Sequence, residues 1–448
     1  MKKYLLTPLA AALILTLTAC GGGSSGDDKP SQGSGSGGVT APLQKISLEA
    51  YTYSCQTETP YSTDIVFHNK EGKPVGTAKT NAEGMFSGEI PKDTKHVSVL
   101  GDEIECDDGE YKKIRTVLDI ENRTNLGKFY FNQFKSDCGC ETYTLDTSEL
   151  SYAQTGYSLY AGYFSPVTDT VRVCTDEDIY FSVVANDSNE AKATITALPT
   201  DTKTIKLTDA DFTDQGVWVD HQVSAGTEYI TTAGYFEETN AFKFYQFRQV
   251  EQLTPVFIFP TLTEHNFYRQ YFDEDSYVGD VNVRMQSQAR SRIKNDGTFE
   301  LTELPVISPD LSADIVAFAN ASDLSYDFSS VDDRLTNTEI DFSFLVDDAA
   351  ETRFDMNIRG FISGKVPDLS FGSVFPEPAG NATLEQLDIF LYGYAGNPTD
   401  KKSVDALLEE RAQGKHITKQ EADKRIGAVE PLMQEHQADL LAALGSGE

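Results

Sequence analysis

Any chemistry in this chain would have to be built from six histidines, six cysteines, one tryptophan and an excess of acids. His68, His96, His221, His265, His416 and His436 nowhere form the His-Glu-x-x-His pair that sets two zinc ligands on one helix face. His68 continues a strand-like run and His416 sits between helix-like segments, so each reads as structural or exposed. Trp218 lies in Val217-Trp218-Val219-Asp220-His221, where it could stack on a ligand with an acid and a base alongside. The same alternation describes a strand with a core aromatic, and no serine or cysteine is marked out beside it as a nucleophile, so packing is the first reading. Asp209, Asp211 and Asp214 crowd oxygen ligands before Gly216, but an EF-hand loop wants its glycine at the sixth position, where Asp214 stands. Weak calcium binding on β-loops is the most these acids suggest. No metal ligand, cofactor or catalytic residue is assigned, and 70 acids are too many to nominate a glycosidase pair.

The remaining chemical candidates are weaker. Gly22-Gly23-Ser24-Ser25-Gly26 fits Gly-x-Ser-x-Gly without the strand and helix that a nucleophile elbow needs. Tyr152, Tyr157, Tyr160 and Tyr163, and the group Phe267, Tyr268, Tyr271 and Phe272, could line a sugar or peptide groove or fill sandwich cores.

The elements that would position these groups are predominantly strands. Thr63–His68, Pro74–Thr80, Met85–Pro91 and His96–Leu100 are short strands divided by the turns Asn69–Lys73 and Asn81–Gly84. Ile179, Phe181, Val183 and Ala185 would face a core. Ile340, Phe342, Phe344 and Val346 pair naturally with Phe354, Met356 and Ile358 in a hairpin, and a further hairpin is signalled where Val281, Val283 and Met285 precede the Lys294–Gly297 turn and Thr298–Leu301. After Pro398 the pattern becomes helical: Val404, Leu407 and Leu408 share a face, Thr418–Glu421 reads as a capping box, and Leu432, Met433, Leu440, Leu441 and Leu444 give the next helix an apolar side. Such a tail should be removable without unfolding the strands. Gly414–Glu421 also resembles a short C-terminal oligomerisation module, which departs at Ala422 where an aromatic is usual, so oligomeric state stays open.

The formal charge is −33, and −35 once Lys2 and Lys3 are removed. That excess excludes a nucleic-acid partner, which needs a compact field of Lys and Arg. Cys55, Cys106, Cys138, Cys140 and Cys174 could form two bridges and leave one thiol in an oxidising compartment. The pairing expected is Cys55 with Cys106, and Cys174 with Cys138 or Cys140.

Lys2 and Lys3 precede 15 residues from Leu5 to Ala19, too short a run to span a bilayer, and Leu17-Thr18-Ala19-Cys20 follows. This start resembles a bacterial lipoprotein signal peptide with its lipobox. The resemblance implies cleavage before Cys20, diacylglycerol and palmitate there, and, with Gly21 next, an outer-membrane address facing periplasm or cell surface. Asn69–Pro91, with Glu-Gly-Lys-Pro-Val and Thr-Asn-x-x-Gly-x-Phe, resembles the carboxypeptidase regulatory-like domains, small transthyretin-like β-sandwiches that serve as non-catalytic spacers or binding modules.

The chain is therefore expected to be all-β: tandem antiparallel β-sandwich domains on a flexible tether, with a short C-terminal helical segment. The expected map is a signal peptide at 1–19, an anchor and Gly/Ser-rich tether at 20–43, a regulatory-like sandwich at 44–135, one or two further β-domains at 136–398 and a helical tail at 399–448. The expected role is non-catalytic binding, adhesion or envelope scaffolding with a protein or glycan partner. The alternative is a glycan-binding accessory or a glycan-active enzyme with Trp218 at the ligand.

Overall fold

The computed structural model describes residues 44–433 apart from 56, 106–108, 136–137, 152–155, 162–165, 174–177, 186–189, 221, 237–240, 251–255, 279–280, 306–310, 312–314, 316, 319–322, 348–351, 377–379, 395–399 and 414–424. These residues form an all-β structure with one C-terminal helix. Among them, no helix is long and apolar enough to cross a membrane.

Strands β1 (Lys45–Ser54), β2 (Thr57–Pro60), β3 (Asp64–His68), β4 (Pro74–Lys79), β5 (Met85–Glu89), β6 (His96–Glu105), β7 (Gly109–Val117) and β8 (Asn125–Asn132) make a sandwich. In one layer β1 carries β8 in parallel on one side and β5 and β2 antiparallel on the other; the second layer runs β4-β3-β6-β7. Alternation along the strands sends Ile46, Leu48, Phe129 and Phe131 inward against Ile65, Phe67, Val97 and Val99, all buried. Each such side chain contributes about 1.5–3 kcal/mol on burial, so this core is substantial. Both expected turns form by the same means. Asn69 Oδ1 accepts from the amides of Glu71 and Lys73, and Asn81 Oδ1 from those of Glu83 and Met85. Gly84 has φ +72°, and a Cβ there would lie 2.3 Å from the Ala50 carbonyl oxygen, so the second turn requires glycine. That turn sends β5 to the opposite layer instead of back along β4.

The disulfide differs from expectation. Cys55 pairs with Cys138, not Cys106, because β1 and β8 run parallel to Tyr53 and Asn132 and bring their downstream ends together, with Cα atoms 5.3 Å apart. Cys140 is also disulfide-bonded. Cys20, Cys106 and Cys174 lie outside the described residues.

A second two-layer unit contains β9 (Glu141–Glu149), β10 (Tyr157–Tyr160), β11 (Thr170–Val173), β12 (Ile179–Ala185), β13 (Ala191–Thr196), β14 (Thr204–Thr208) and β15 (Asp214–Gln215). Its sheets, β11-β9-β14 and β10-β12-β13-β15, enclose Leu145, Val171, Phe181, Val183 and Leu207. All of β12 is buried, not just the expected face. Its other side, through Tyr180 and Val184, packs into a core built on β16 (Val217–Val219), β17 (Tyr229–Phe236), β18 (Ala241–Gln249) and β19 (Val256–Ile258).

The rest of the chain supplies β20 (His265–Val278), β21 (Val281–Ile293), β22 (Ser325–Asp327), β23 (Leu335–Val346), β24 (Arg353–Phe361), β25 (Ser363–Lys365), β26 (Ala382–Tyr394), α1 (Lys401–Ala412) and β27 (Arg425–Met433). A twelve-stranded sheet runs β18-β17-β20-β21-β27-β26-β23-β24-β7-β6-β3-β4, so the first sandwich shares a layer with the last third of the chain through the parallel β24·β7 contact. The expected hairpin forms in register, with Ile340 opposite Ile358, Phe342 opposite Met356 and Phe344 opposite Phe354. The Lys294–Gly297 turn also forms, but beyond it Phe299 makes one isolated bridge, and β21 forms its hairpin with the preceding strand β20.

The tail is only partly helical. Asp400 caps α1 by accepting from the Ser403 amide. Leu432 and Met433, expected on a helix face, instead lie in β27, antiparallel to both β21 and β26. Gly427 and Pro431 weaken helix in this segment, and the place between two long strands decides the outcome. The ladder to β21 is interrupted at Glu430 and Pro431, where proline has no N–H to donate, while the pairing with β26 continues through both residues. The segment 418–421 lies outside the described residues.

Candidate binding cleft

A cleft of about 920 Å³ opens where α1, the start of β8 and the strands β23, β24 and β26 meet. Its floor comes from Asn337, Glu339, Arg359, Phe361 and Tyr392, one wall from Arg123, Asn125, Lys128 and Tyr130, and the other from the helix. Strand periodicity explains the floor. Ile340, Ile358, Leu387, Ile389 and Leu391 face a buried apolar core, which turns residues 337, 339, 359 and 392 to the opposite side, while Phe361 also packs against that core. The helix is held by its polar face as well as by buried Val404. Asp405 accepts from Asn122 Nδ2 at 3.0 Å, Lys401 Nζ donates to the Asp119 carbonyl at 3.1 Å, and Glu409 accepts from the amides of Thr124 and Asn125 at 3.0 and 2.9 Å.

The acids at this cleft are occupied. Burial opposes ionisation of Glu339, but Arg359, at 3.1 Å, and Asn357 outweigh it and hold the carboxyl below its ordinary pKa. On α1 beside the cleft, burial likewise opposes ionisation of Glu409, and the hydrogen bonds from Thr124 and Asn125, with Arg123, lower it.

Behind the cleft the same sheet face continues as a charged network, a band that alternation alone would assign to solvent. Lys113 lies 3.5 Å from Asp341 and 3.3 Å from Asp355, Arg115 lies 2.8 Å from Glu103, and Asn357 donates to both Glu339 and Asp341. Phe131 shields this region, with the Arg115 guanidinium 5.7 Å from its ring centre. Asp388 is directly opposite Asp341 in register, takes one hydrogen bond, from Gln386, and leaves its buried Oδ1 without a partner. Burial, with the charges of Asp341 and Asp355 adding to it, pushes Asp388 up to about 7 despite Lys113. Asp341 is raised too, by burial first. Neither Asp341 nor Asp388 lines the cleft.

The residues singled out in the sequence lie elsewhere. Trp218 is partly buried in β16, edge-on to Phe257 at 5.9 Å, and its carbonyl oxygen would meet a Cβ on Gly297 at 2.1 Å, so it packs within a core. Tyr160, Phe267 and Tyr268 are buried, and Tyr157, Tyr271 and Phe272 partly so. Tyr152, Tyr163, His221, His416 and His436 lie outside the described residues. Asp209 and Asp211 accept hydrogen bonds from Ser151 and Thr208, and among the described residues no group of three His, Cys, Asp or Glu is placed to hold a metal ion. His68 is structural: Nδ1 donates to the Gly72 carbonyl at 3.0 Å, Nε2 faces the Ser98 hydroxyl at 2.9 Å, and burial lowers its pKa to about 4. Its buried neighbour His96 accepts from the Asp119 amide and is also lowered by burial.

Sequence reasoning missed the cleft because its walls come from segments some 280 residues apart, exemplified by Asn122 and Asp405. The one local signal was the alternation of Glu339 and Asp341 with Ile340 and Phe342. No protein-family model matches the chain, and no curated protein matches it.

Proposed function

We propose that the chain is a lipoprotein anchored through Cys20 in the outer membrane, with a non-catalytic binding role served by the cleft between α1, β8 and the large sheet. The observation that carries the binding reading is a roomy polar cleft in which Glu339 and Asp405 are held in ion pairs and Glu49 accepts a hydrogen bond from the Tyr51 hydroxyl, while the raised carboxyl of Asp388 sits outside it. General acid catalysis would need the raised group at the ligand. The anchor reading rests on Leu17–Cys20 and the Gly/Ser-rich run behind it. The resemblance of Asn69–Pro91 to regulatory-like domains supports a spacer role for the first sandwich.

Among partners, glycan is favoured over protein by the lining itself: Tyr130 and Tyr392 supply aromatic rings, and Asn125 an amide for hydroxyls. Two experiments test these readings. Cys20→Ser should accumulate as precursor or soluble protein; membrane fractionation persisting after lipid labelling is lost would refute the anchor. Labelled mature protein should bind on a glycan array and lose that binding in Leu408→Trp, which fills the cleft; binding unaffected by this substitution would place the ligand elsewhere.

A further inference from the structure

We propose that the cleft takes a carboxylate-bearing saccharide, with Arg123 and Arg359 holding the carboxylate and Tyr130 and Tyr392 facing the sugar rings. This deepens the glycan reading above and rests on it. A guanidinium has five N–H donors. Arg359 gives one hydrogen bond, to Glu339 at 3.1 Å, and Arg123 gives one, to the Asn125 carbonyl at 3.0 Å. The Nε of each is buried without an acceptor, that of Arg123 standing 3.7 Å from Glu409. The Arg123 side chain is itself only 8% exposed.

The two guanidiniums also feel each other. Burial lowers the pKa of Arg123, and the charge of Arg359 adds to this against Glu409 and Asp405. Two cations with spare donors therefore border one cavity. Although the chain carries −33 overall, five cationic side chains line the cleft against three acidic ones. A carboxylate between the arginines would use the planar fork in the geometry it fits. A small inorganic anion would leave most of the 920 Å³ unfilled, whereas a pyranose chain would meet the aromatic and amide lining.

The test is calorimetric titration of the mature chain with trigalacturonate, a neutral trisaccharide of the same linkage, a glutamate tripeptide and inorganic phosphate. Saturable binding of trigalacturonate is expected, at least tenfold tighter than the other three. The double variant Glu339→Gln/Arg359→Gln, which removes the ion pair as a unit, should weaken it at least tenfold with its melting temperature kept. If that variant melts early, Tyr392→Leu, which leaves every ion pair in place, must alone weaken binding at least fivefold. Equal affinity for the neutral sugar, the peptide or phosphate, no binding of trigalacturonate, or unchanged affinity in the stable variant overturns the proposal. A negative result here leaves the fractionation of Cys20→Ser and the Leu408→Trp array result standing, so it does not touch the wider binding reading.

Discussion

Replacing Asp388 with asparagine should stabilise the protein at alkaline pH and do nothing at acid pH. The carboxyl is raised from 3.8 to about 7 because it lies in a partly buried band opposite Asp341, with Gln386 as its hydrogen-bond donor. Between those two values the folded state keeps a proton that the unfolded chain has released. Stability therefore falls as pH rises through this window and levels off above pH 7. A shift of about three units corresponds to about 4 kcal/mol at most. Asparagine keeps the shape, removes the charge and so removes the slope. Urea unfolding of both proteins at intervals from pH 4 to pH 8.5 gives the comparison. The two curves should coincide near pH 4 and diverge above it, the variant being more stable by a few kcal/mol at pH 8.5. Parallel curves would show that Asp388 ionises freely in the folded protein, and the account of the charged band would be wrong.

The opposite sign is expected at His68. Its pKa, lowered from 6.5 to about 4, makes stability fall by up to about 3 kcal/mol as pH drops through that interval, and in the Asp388→Asn background, where the opposing slope is gone, this acid loss should be directly visible; a His68→Asn control with the same pH profile would refute it. Breaking the Cys55–Cys138 bridge by Cys55→Ser, which frees a loop spanning 83 positions, should cost about 4 kcal/mol in equilibrium unfolding, and peptide mapping without reductant should recover that pair. Termination after Gln413 removes β27 and should lower the melting temperature by roughly 10 °C and expose the edges of β21 and β26 to limited proteolysis. An unchanged melt would return residues 425–433 to the status of a dispensable tail.

What could be read from the sequence was whatever depends on near neighbours. Asn69 and Asn81 form their turns with amides two and four residues on, and Ile340, Phe342, Met356 and Ile358 alternate across a short connection, so both were visible. Pairings set by distant segments were not. Cys55 meets Cys138 because two strands far apart in the chain lie parallel, and β27 is a strand because β21 and β26 leave room for one. The cleft belongs to this second class, since Arg123, Arg359 and Asp405 come from a loop, a strand and a helix with no common pattern. Trp218, the lone tryptophan, lies in a three-residue strand and packs against a buried core.

The central position of β27 also bears on the order of assembly. During synthesis β21 is complete long before residues 425–433 emerge and β26 shortly before, and each then presents a row of unpaired amides and carbonyls to whatever is near. Misfolding of this protein should therefore concentrate in that interval, as strand exchange between nascent or newly released copies. The first sandwich carries the same exposure at β7, whose neighbour β24 is made only from residue 353 on, so a chaperone that shields the edges of β7, β21 and β26 should raise the yield.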